Sequence, residues 1–429
     1  MKMQPAGTIS CQAWYSGPII LSGNWEPLIF RRRLGGGCSD VAERYLEEHS
    51  PELVRELQRK GINLLITHYF KGFGLQAEAE DIVQTRKLTR LCHQANIRVG
   101  AYIGDTLIPE TFLTEEPDAA SWYQIDAAGN AIQYGGTQSF RYKWCRTNPA
   151  FLTYMKRVLA QALEDGIDLI HFDNFLEKPE PLSCHCIYCQ NAFRDFLKQT
   201  MNDAERKERF GFADVSNVSI PLFSAPLYQQ WNAEQISNPL LQEWIRFRCQ
   251  MLSRRYQELA QFCRKKSPQV AIECNPSGIR GENTAYLRAV DHDSLLPHGN
   301  FFWDESPNQY GLLENGALCT HLRTMKLAEH FNSRVFYYSW KSELQLAEGL
   351  AFNRGCLGMA GTLQGKYLKP AQEPGAKYHR FLLAHARLFC QSESLARVAV
   401  YRNFTSLAWN SLQPHLQAIL AEETLLENH

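Results

Sequence analysis

No excess of either charge marks this 429-residue chain: Lys and Arg together number 45, and so do Asp and Glu. A surface without net charge leaves no electrostatic footprint for nucleic acid or an anionic membrane. No apolar run approaches the roughly 20 residues that cross a bilayer. The opening MKMQPAGTISCQAWYSG lacks the continuous apolar stretch of a secretory signal, so a cytoplasmic protein is expected. Internal repeats and low-complexity tracts are missing too. Nor does any His-x-His spacing join His68, His171 and Asp173 into the ligand set of a zinc hydrolase such as a deacetylase.

What is present is cysteine and aromatic character. The 13 cysteines are odd in number and scattered through helix-like and strand-like segments, the pattern of reduced thiols in cytosol. Nine Trp and 18 Tyr would suit a cleft that stacks sugar rings, though they suit barrel packing equally well.

Strand-like apolar runs alternate with amphipathic helices along most of the chain. The expected strands are Leu28–Arg33, Ile62–His68, Ile97–Ile103, Ile167–Asp173, Val270–Asn275, Asn300–Glu305, Arg334–Trp340 and Cys356–Gly361. Helices are expected between them, among them Asp81–Asn96, Ala317–Phe331 and Leu240–Lys266. Pro51 and Pro149 each stand at a first helical position, where proline is favoured. Eight such units predict an α/β fold of the (β/α)8 TIM-barrel type over residues 1–390, with an irregular insertion at 202–238 after strand four. Residues 391–429 read as the opening βα unit of a further α/β domain, with a strand at Arg397–Tyr401 and a helix at Leu412–Leu426, cut short at His429.

Chemistry concentrates at the strand ends. In DLIHFD, Leu169, His171 and Asp173 share one parity, so Asp173 projects into the barrel mouth if Ile170 and Phe172 face the helices. A carboxylate at the C-terminal end of a barrel strand reads as catalytic. The sixth strand, NFFWDE, offers Glu305 or its neighbour Asp304, and parity does not decide which faces inward. Glu273, inside VAIECN, is a third acid that needs either a function or a partner. Two carboxylates across a barrel mouth are the minimum for glycoside hydrolysis, one protonating the leaving oxygen and the other attacking the anomeric carbon or activating water. Glu305 follows three aromatics, which should raise its pKa, whereas Asn174 can donate to Asp173 and favour its ionised form. Asp173 is therefore expected as nucleophile and Glu305 as acid/base. His68, Tyr102, Arg146, Asn174, Asn275, Trp303, Tyr338 and Trp340 stand where a sugar would lie.

Cys184, Cys186 and Cys189 form a CxCxxC cluster, which in a cytosolic chain reads as metal before disulfide. A tetrahedral zinc needs a fourth ligand. His185 is badly placed to share the ion with both its neighbours, and Cys145 is the better choice. Four thiolates leave no open position, so the zinc is structural and not catalytic.

WCRTNPAFLTYMKRV (144–158) and CHCIYCQNAFRDFL (184–197) resemble the family 42 β-galactosidases. That resemblance implies a structural zinc on Cys145, Cys184, Cys186 and Cys189. FFWDESPNQYG (301–311) resembles the stretch around that family's nucleophilic glutamate, which implies that role for Glu305. Where the family has Asn-Glu after strand four, with the Glu as acid/base, this chain has Asn174-Phe175. The pairing of a fourth-strand Asp with a sixth-strand acid resembles retaining α-glycosidases instead, in which the Asp is the nucleophile. VAVYRNFTSLAW (398–409) is similar to the start of the flavodoxin-like trimerisation domain found in such hydrolases, which implies a homo-oligomer, by that resemblance a trimer. The expected function is a retaining glycosidase acting on small oligosaccharides or glycosides. The alternative is a carbohydrate-binding barrel or scaffold that lost its acid/base.

Overall fold

The computed structural model describes residues 13–35, 39–222, 236–276, 278–279, 283–305, 312–314, 317–338, 343–362, 375–392, 395 and 403–409. Eight parallel strands build one sheet: β1 (Ile19–Asn24), β2 (Leu64–Phe70), β3 (Arg98–Ile103), β4 (Leu169–Phe172), β5 (Ala271–Cys274), β6 (Phe301–Trp303), β7 (Arg334–Phe336) and β8 (Cys356–Thr362). Successive strands pair in chain order from β1 to β7, and β1 also pairs with β8. The sheet thus curls into a nearly closed TIM barrel, as the strand and helix alternation predicts.

Helix starts follow the sequence signals. Ser50 accepts a hydrogen bond from Leu53 N ahead of Pro51–Arg59, and Asn148 accepts one from Ala150 N ahead of Pro149–Glu164. Asn238 does the same for Leu241 N at the head of Pro239–Lys266. All three helices carry proline at the first turn, where no N–H is needed. Their apolar faces, among them Val54, Leu57, Met155, Val158 and Leu259, pack against the outward residues of the strands. The inward residues Leu21, Ile66, Leu169, Ala271, Phe301 and Phe336 fill the barrel.

Three expectations change. Leu28–Arg33 is a helix, and the first strand lies earlier, at Ile19–Asn24. The arginine-rich end of Leu28–Arg33 could not be buried as a parallel barrel strand, whereas all six residues of β1 are buried. The segment expected as the helix Ala317–Phe331 begins with an antiparallel ribbon of Leu312–Glu314 and Ala317–Cys319, and its helix is confined to Leu322–His330. The insertion expected to be irregular holds a helix, Asp203–Phe210, closed by a capping box between Asn202 and Glu205. The expected elements Arg397–Tyr401 and Leu412–Leu426 lie outside the described residues. The described Phe404–Ala408 is a short helix lodged on the barrel flank, where Asn283 Nδ2 donates to Ala408 O at 2.8 Å. Among the described residues, no helix is long and apolar enough to cross a membrane.

The barrel closes between β7 and β8 with almost no ladder. Among the described residues a single bridge, Tyr338 to Met359, joins them by backbone. Asn353 supplies the rest: its Oδ1 accepts from Val335 N at 3.0 Å, and its Nδ2 donates to Val335 O at 2.8 Å and Cys356 O at 2.9 Å. Asn353→Ala would leave Val335 N and Cys356 O without these buried partners and Val335 O with only the weak donor Cys356 Sγ, so it should cost about 2–4 kcal/mol. Urea unfolding of the variant measures this, and a loss under about 1 kcal/mol would show that the seam does not depend on that amide.

Candidate active site

The alternation of the strands settles which acids face inward. Phe301 and Trp303 belong to the barrel interior and Phe302 to the outer layer, so Glu305 continues the inward row while Asp304 is turned away. Asp304 is buried instead near His321, with 3.8 Å between Oδ2 and Nε2. Asp173 likewise continues the inward row of Leu169 and His171. Glu273 is inward too, but lies below the mouth, fully buried and hydrogen-bonded to His171 Nδ1.

Asn275 joins the two upper carboxylates. Its Nδ2 donates to Asp173 Oδ1 at 3.1 Å and to Glu305 Oε2 at 3.0 Å. One nitrogen between two oxygens keeps those oxygens within about 6 Å of each other. Asp173 Oδ2 accepts from Tyr102 Oη and, at 2.6 Å, from Asn174 Nδ2. Asn174 adopts a left-handed φ of 49°, a conformation asparagine tolerates better than most residues. Tyr338 Oη donates to Glu305 Oε1 at 3.3 Å. Trp303 stands edge-on to Tyr338, His171 and Trp25, with centroids 5.3, 5.9 and 5.9 Å apart.

The two acids are pushed in opposite directions. Burial raises the pKa of Asp173, but the charge of His171, then that of Lys71, and hydrogen bonds from Tyr102 and Asn275 together hold it below the usual carboxylate range. Burial raises Glu305, the charge of Asp173 adds to this, and the Asn275 and Tyr338 hydrogen bonds only partly offset it. The arrangement thus favours one ionised and one protonated carboxyl group.

The other expected site residues divide. Tyr102, Asn174, Asn275, Trp303 and Tyr338 gather at the mouth around Asp173 and Glu305. His68 does not. A register shift between His68 and Phe70 breaks the alternation of β2, and the ring bonds to Tyr45 Oη at 3.0 Å and His49 Nε2 at 3.1 Å in the helical layer. Arg146 is buried and engaged, pairing with Glu177 at 2.6 Å and Asp105 at 3.0 Å and donating to Asn174 O at 3.1 Å. It holds the loop that carries Asn174 and is almost wholly buried. Trp340 lies outside the described residues.

Two mouth residues escaped the sequence reading. Lys71 follows β2 directly, and its Nζ donates to Tyr102 Oη at 3.1 Å while lying 4.2 Å from that ring's centroid. The strand expectation ended at His68, two residues before the true end at Phe70, and so drew attention to the wrong side chains. Trp25 follows β1, a strand that the sequence reading placed elsewhere. The signal in both cases was position just past a strand.

The four expected cysteines converge. Among the described residues they form the one group able to hold a metal, their sulfur atoms all within 4.8 Å of one another. Cys186 and Cys145 are 3.4 Å apart, and Cys145 and Cys189 3.5 Å. Sulfurs in a zinc tetrathiolate lie about 3.8 Å apart given bonds of about 2.3 Å, so the donor set fits a metal ion of that kind. His185 stays out, its Nε2 turned to Glu180 at 2.9 Å. The cluster ties the start of Pro149–Glu164 to the helix Ile187–Thr200.

The model of glycoside hydrolase family 42, described as beta-galactosidase, matches residues 43–330. Among solved structures, a catalytic mutant of the family 42 β-galactosidase Gan42B from G. stearothermophilus superposes with a TM-score of 0.60, at 15% identity, over 96% of this chain and 64% of that one. The cold-adapted β-galactosidase of Rahnella sp. R3 gives 0.58 at 15% identity, over 87% and 57%. The catalytic domain of a β-amylase from Paenibacillus polymyxa gives 0.58 at 11%, over 86% and 98%. At these identities the likeness shows the barrel fold alone, and the chain spans less than two thirds of those β-galactosidases. No curated protein sequence matches.

Burial holds the Lys71 ammonium down to about 8, with nearby Arg141 adding to the shift. A lysine depressed in the folded state costs stability while it must be charged, below about pH 8, and the cost fades as pH rises toward the unfolded value. Lys71→Met should therefore be about 1–3 kcal/mol more stable than the parent at pH 7, with the gap closing by about pH 10. Denaturant melts at several pH values check this, and a gap independent of pH would contradict it.

Proposed function

The chain belongs to glycoside hydrolase family 42, the β-galactosidase family, and on that footing we propose that it is a retaining glycosidase acting on small oligosaccharides or glycosides. The observation that carries this reading is the Asn275 amide shared by Asp173 and Glu305. Carboxyl groups of retaining enzymes lie about 5–5.5 Å apart, against about 6.5–9.5 Å in inverting ones, and the shared donor keeps the facing oxygens within about 6 Å. The opposite pKa shifts assign the roles. Ionised Asp173, held by Tyr102, Asn174 and Asn275, attacks the anomeric carbon. Protonated Glu305 delivers its proton to the leaving oxygen and then, as a carboxylate, takes one from the water that releases the sugar. Trp25, Trp303 and Tyr338 offer apolar faces to the pyranose.

Phe175 supports this assignment. By the resemblance it stands where the family carries its acid/base glutamate, and it is buried against Phe172 and Tyr256. Proton transfer must then come from the Asp173 and Glu305 pair. We further propose that Cys145, Cys184, Cys186 and Cys189 hold a structural zinc, and that the protein works in the cytoplasm. Ten cysteines of the described residues are free of disulfides, which fits a reducing compartment. Assembly into a homo-oligomer, a trimer by resemblance of residues 398–409, belongs to the same proposal.

Chemical rescue tests the chemistry. With an aryl glycoside whose leaving group needs no proton, Glu305→Ala should keep its first step and gain turnover with azide, giving a product of retained configuration. Asp173→Ala should form no covalent intermediate, and any azide product should be inverted. The reverse pattern would exchange the roles, and unchanged activity in both variants would remove the pair from consideration.

For the metal, protein purified without chelator should carry about one zinc per chain by elemental analysis, and Cys145→Ser should lower that content. Zinc-free parent protein with unaltered stability would rule the site out as structural.

A further inference from the structure

At the end of the barrel opposite the mouth, the segments leading into β6, β7, β8 and β1 surround a cavity of about 260 Å³. Its lining includes Tyr15, Ser16, Asn300, Asn332, Arg334 and Arg354, and among the described residues no acidic one. Arg334 opens β7 and is only 7% exposed. Its Nη1 donates to the carbonyls of Gly17 at 2.7 Å and Arg354 at 3.1 Å, while its Nε and Nη2 meet no protein acceptor among the described residues. Arg354 uses only Nη1, toward Asn332 Oδ1 at 2.9 Å. Neither guanidinium forms an ion pair with a described carboxylate. The one aromatic compensation is the Phe301 ring, 5.1 Å from Arg334.

An arginine this buried is almost always paired, because desolvating an uncompensated charge costs several kcal/mol. Here two guanidinium groups face one polar cavity, each with its Nε and Nη2 unmatched by an acceptor among the described residues. Burial and the like charge of Arg354 also press the Arg334 pKa below its usual value, as expected of a cation without a counter-ion. The position adds meaning. Arg334 belongs to β7, Arg354 precedes β8 and Ser16 precedes β1, so the cavity straddles the seam that the backbone leaves nearly unladdered.

We propose that this cavity is an oxyanion site, taking a phosphate or carboxylate group of a small polar molecule between Arg334 and Arg354 and so clamping the barrel seam. Forked guanidinium groups match the two oxygens of such anions, with Ser16 and Tyr15 able to donate from the rim. The site is separate from the sugar-binding mouth and does not depend on the glycosidase reading.

Thermal melts of the full chain, with inorganic phosphate or citrate titrated at constant ionic strength against sodium chloride, test it. A saturable rise in Tm is expected from at least one probe, about 2 °C or more at ten times its dissociation constant. Calorimetric titration of Arg354→Gln should show affinity for that probe lowered at least about tenfold, and Arg354→Lys, which keeps the charge but loses the fork, should fall between. Arg98→Gln, an arginine at the same end that is already paired with Asp168, should leave it unchanged. The stronger of the two probes identifies the group. If neither probe exceeds chloride, or if the Arg354 variants titrate like the parent, the proposal fails.

Discussion

A buried ion network holds the mouth of this barrel in place. Asp105 follows β3, Lys143 and Arg146 sit at the end of the long excursion between β3 and β4, and Glu177 lies in the loop after β4. Lys143 Nζ reaches Asp105 at 2.6 Å, and Arg146 bridges Asp105 and Glu177. All four are nearly inaccessible to water. Charges in such surroundings are tolerable only in mutual contact, and removing one member of a buried pair commonly costs about 3–5 kcal/mol. The network therefore fixes the two loops relative to each other. Arg146 carries that order to the mouth through its bonds to the carbonyls of Asn174 and Leu176. Its neighbour Cys145 belongs to the thiol cluster, so one dipeptide is held from both sides.

Seen this way, the cysteine cluster and the mouth are parts of one construction. The cluster secures the loop that presents Arg146, Arg146 secures the backbone of Asn174, and Asn174 donates to Asp173. Each link is short and rigid. Phe175 fits the same scheme: its ring packs under the guanidinium of Arg146, 4.8 Å from it, and helps to seat it.

Much of this was legible in the sequence because it depends on local rules. Proline at helix starts, alternation along β4, and thiols spaced to share one ion each follow from a few neighbouring residues. Asp173 and the four cysteines could be read that way. What could not be read depends on register and on distant partners. The shift in β2 turned His68 toward Tyr45 and His49, and nothing in INLLITH announces it. Arg146 has the composition of a substrate ligand, yet its partners Asp105 and Glu177 are dozens of residues away in both directions. The inward choice of Glu305 over Asp304 needed the neighbours of Phe302, which only the folded barrel supplies. The first strand was missed because Leu28–Arg33 has an apolar start but an arginine-rich end, which suits a short surface helix.

Trp25 turns at the top of β1 with its ring laid over Gly23. A Cβ at position 23 would stand 2.0 Å from that ring. The width of the mouth on this side is thus set by a hydrogen atom on a glycine. Any side chain there would lift the indole away from Trp303 and change the shape offered to a ligand without touching a single acid. A side chain at position 23 would accordingly reshape this wall of the mouth while leaving Asp173 and Glu305 in place.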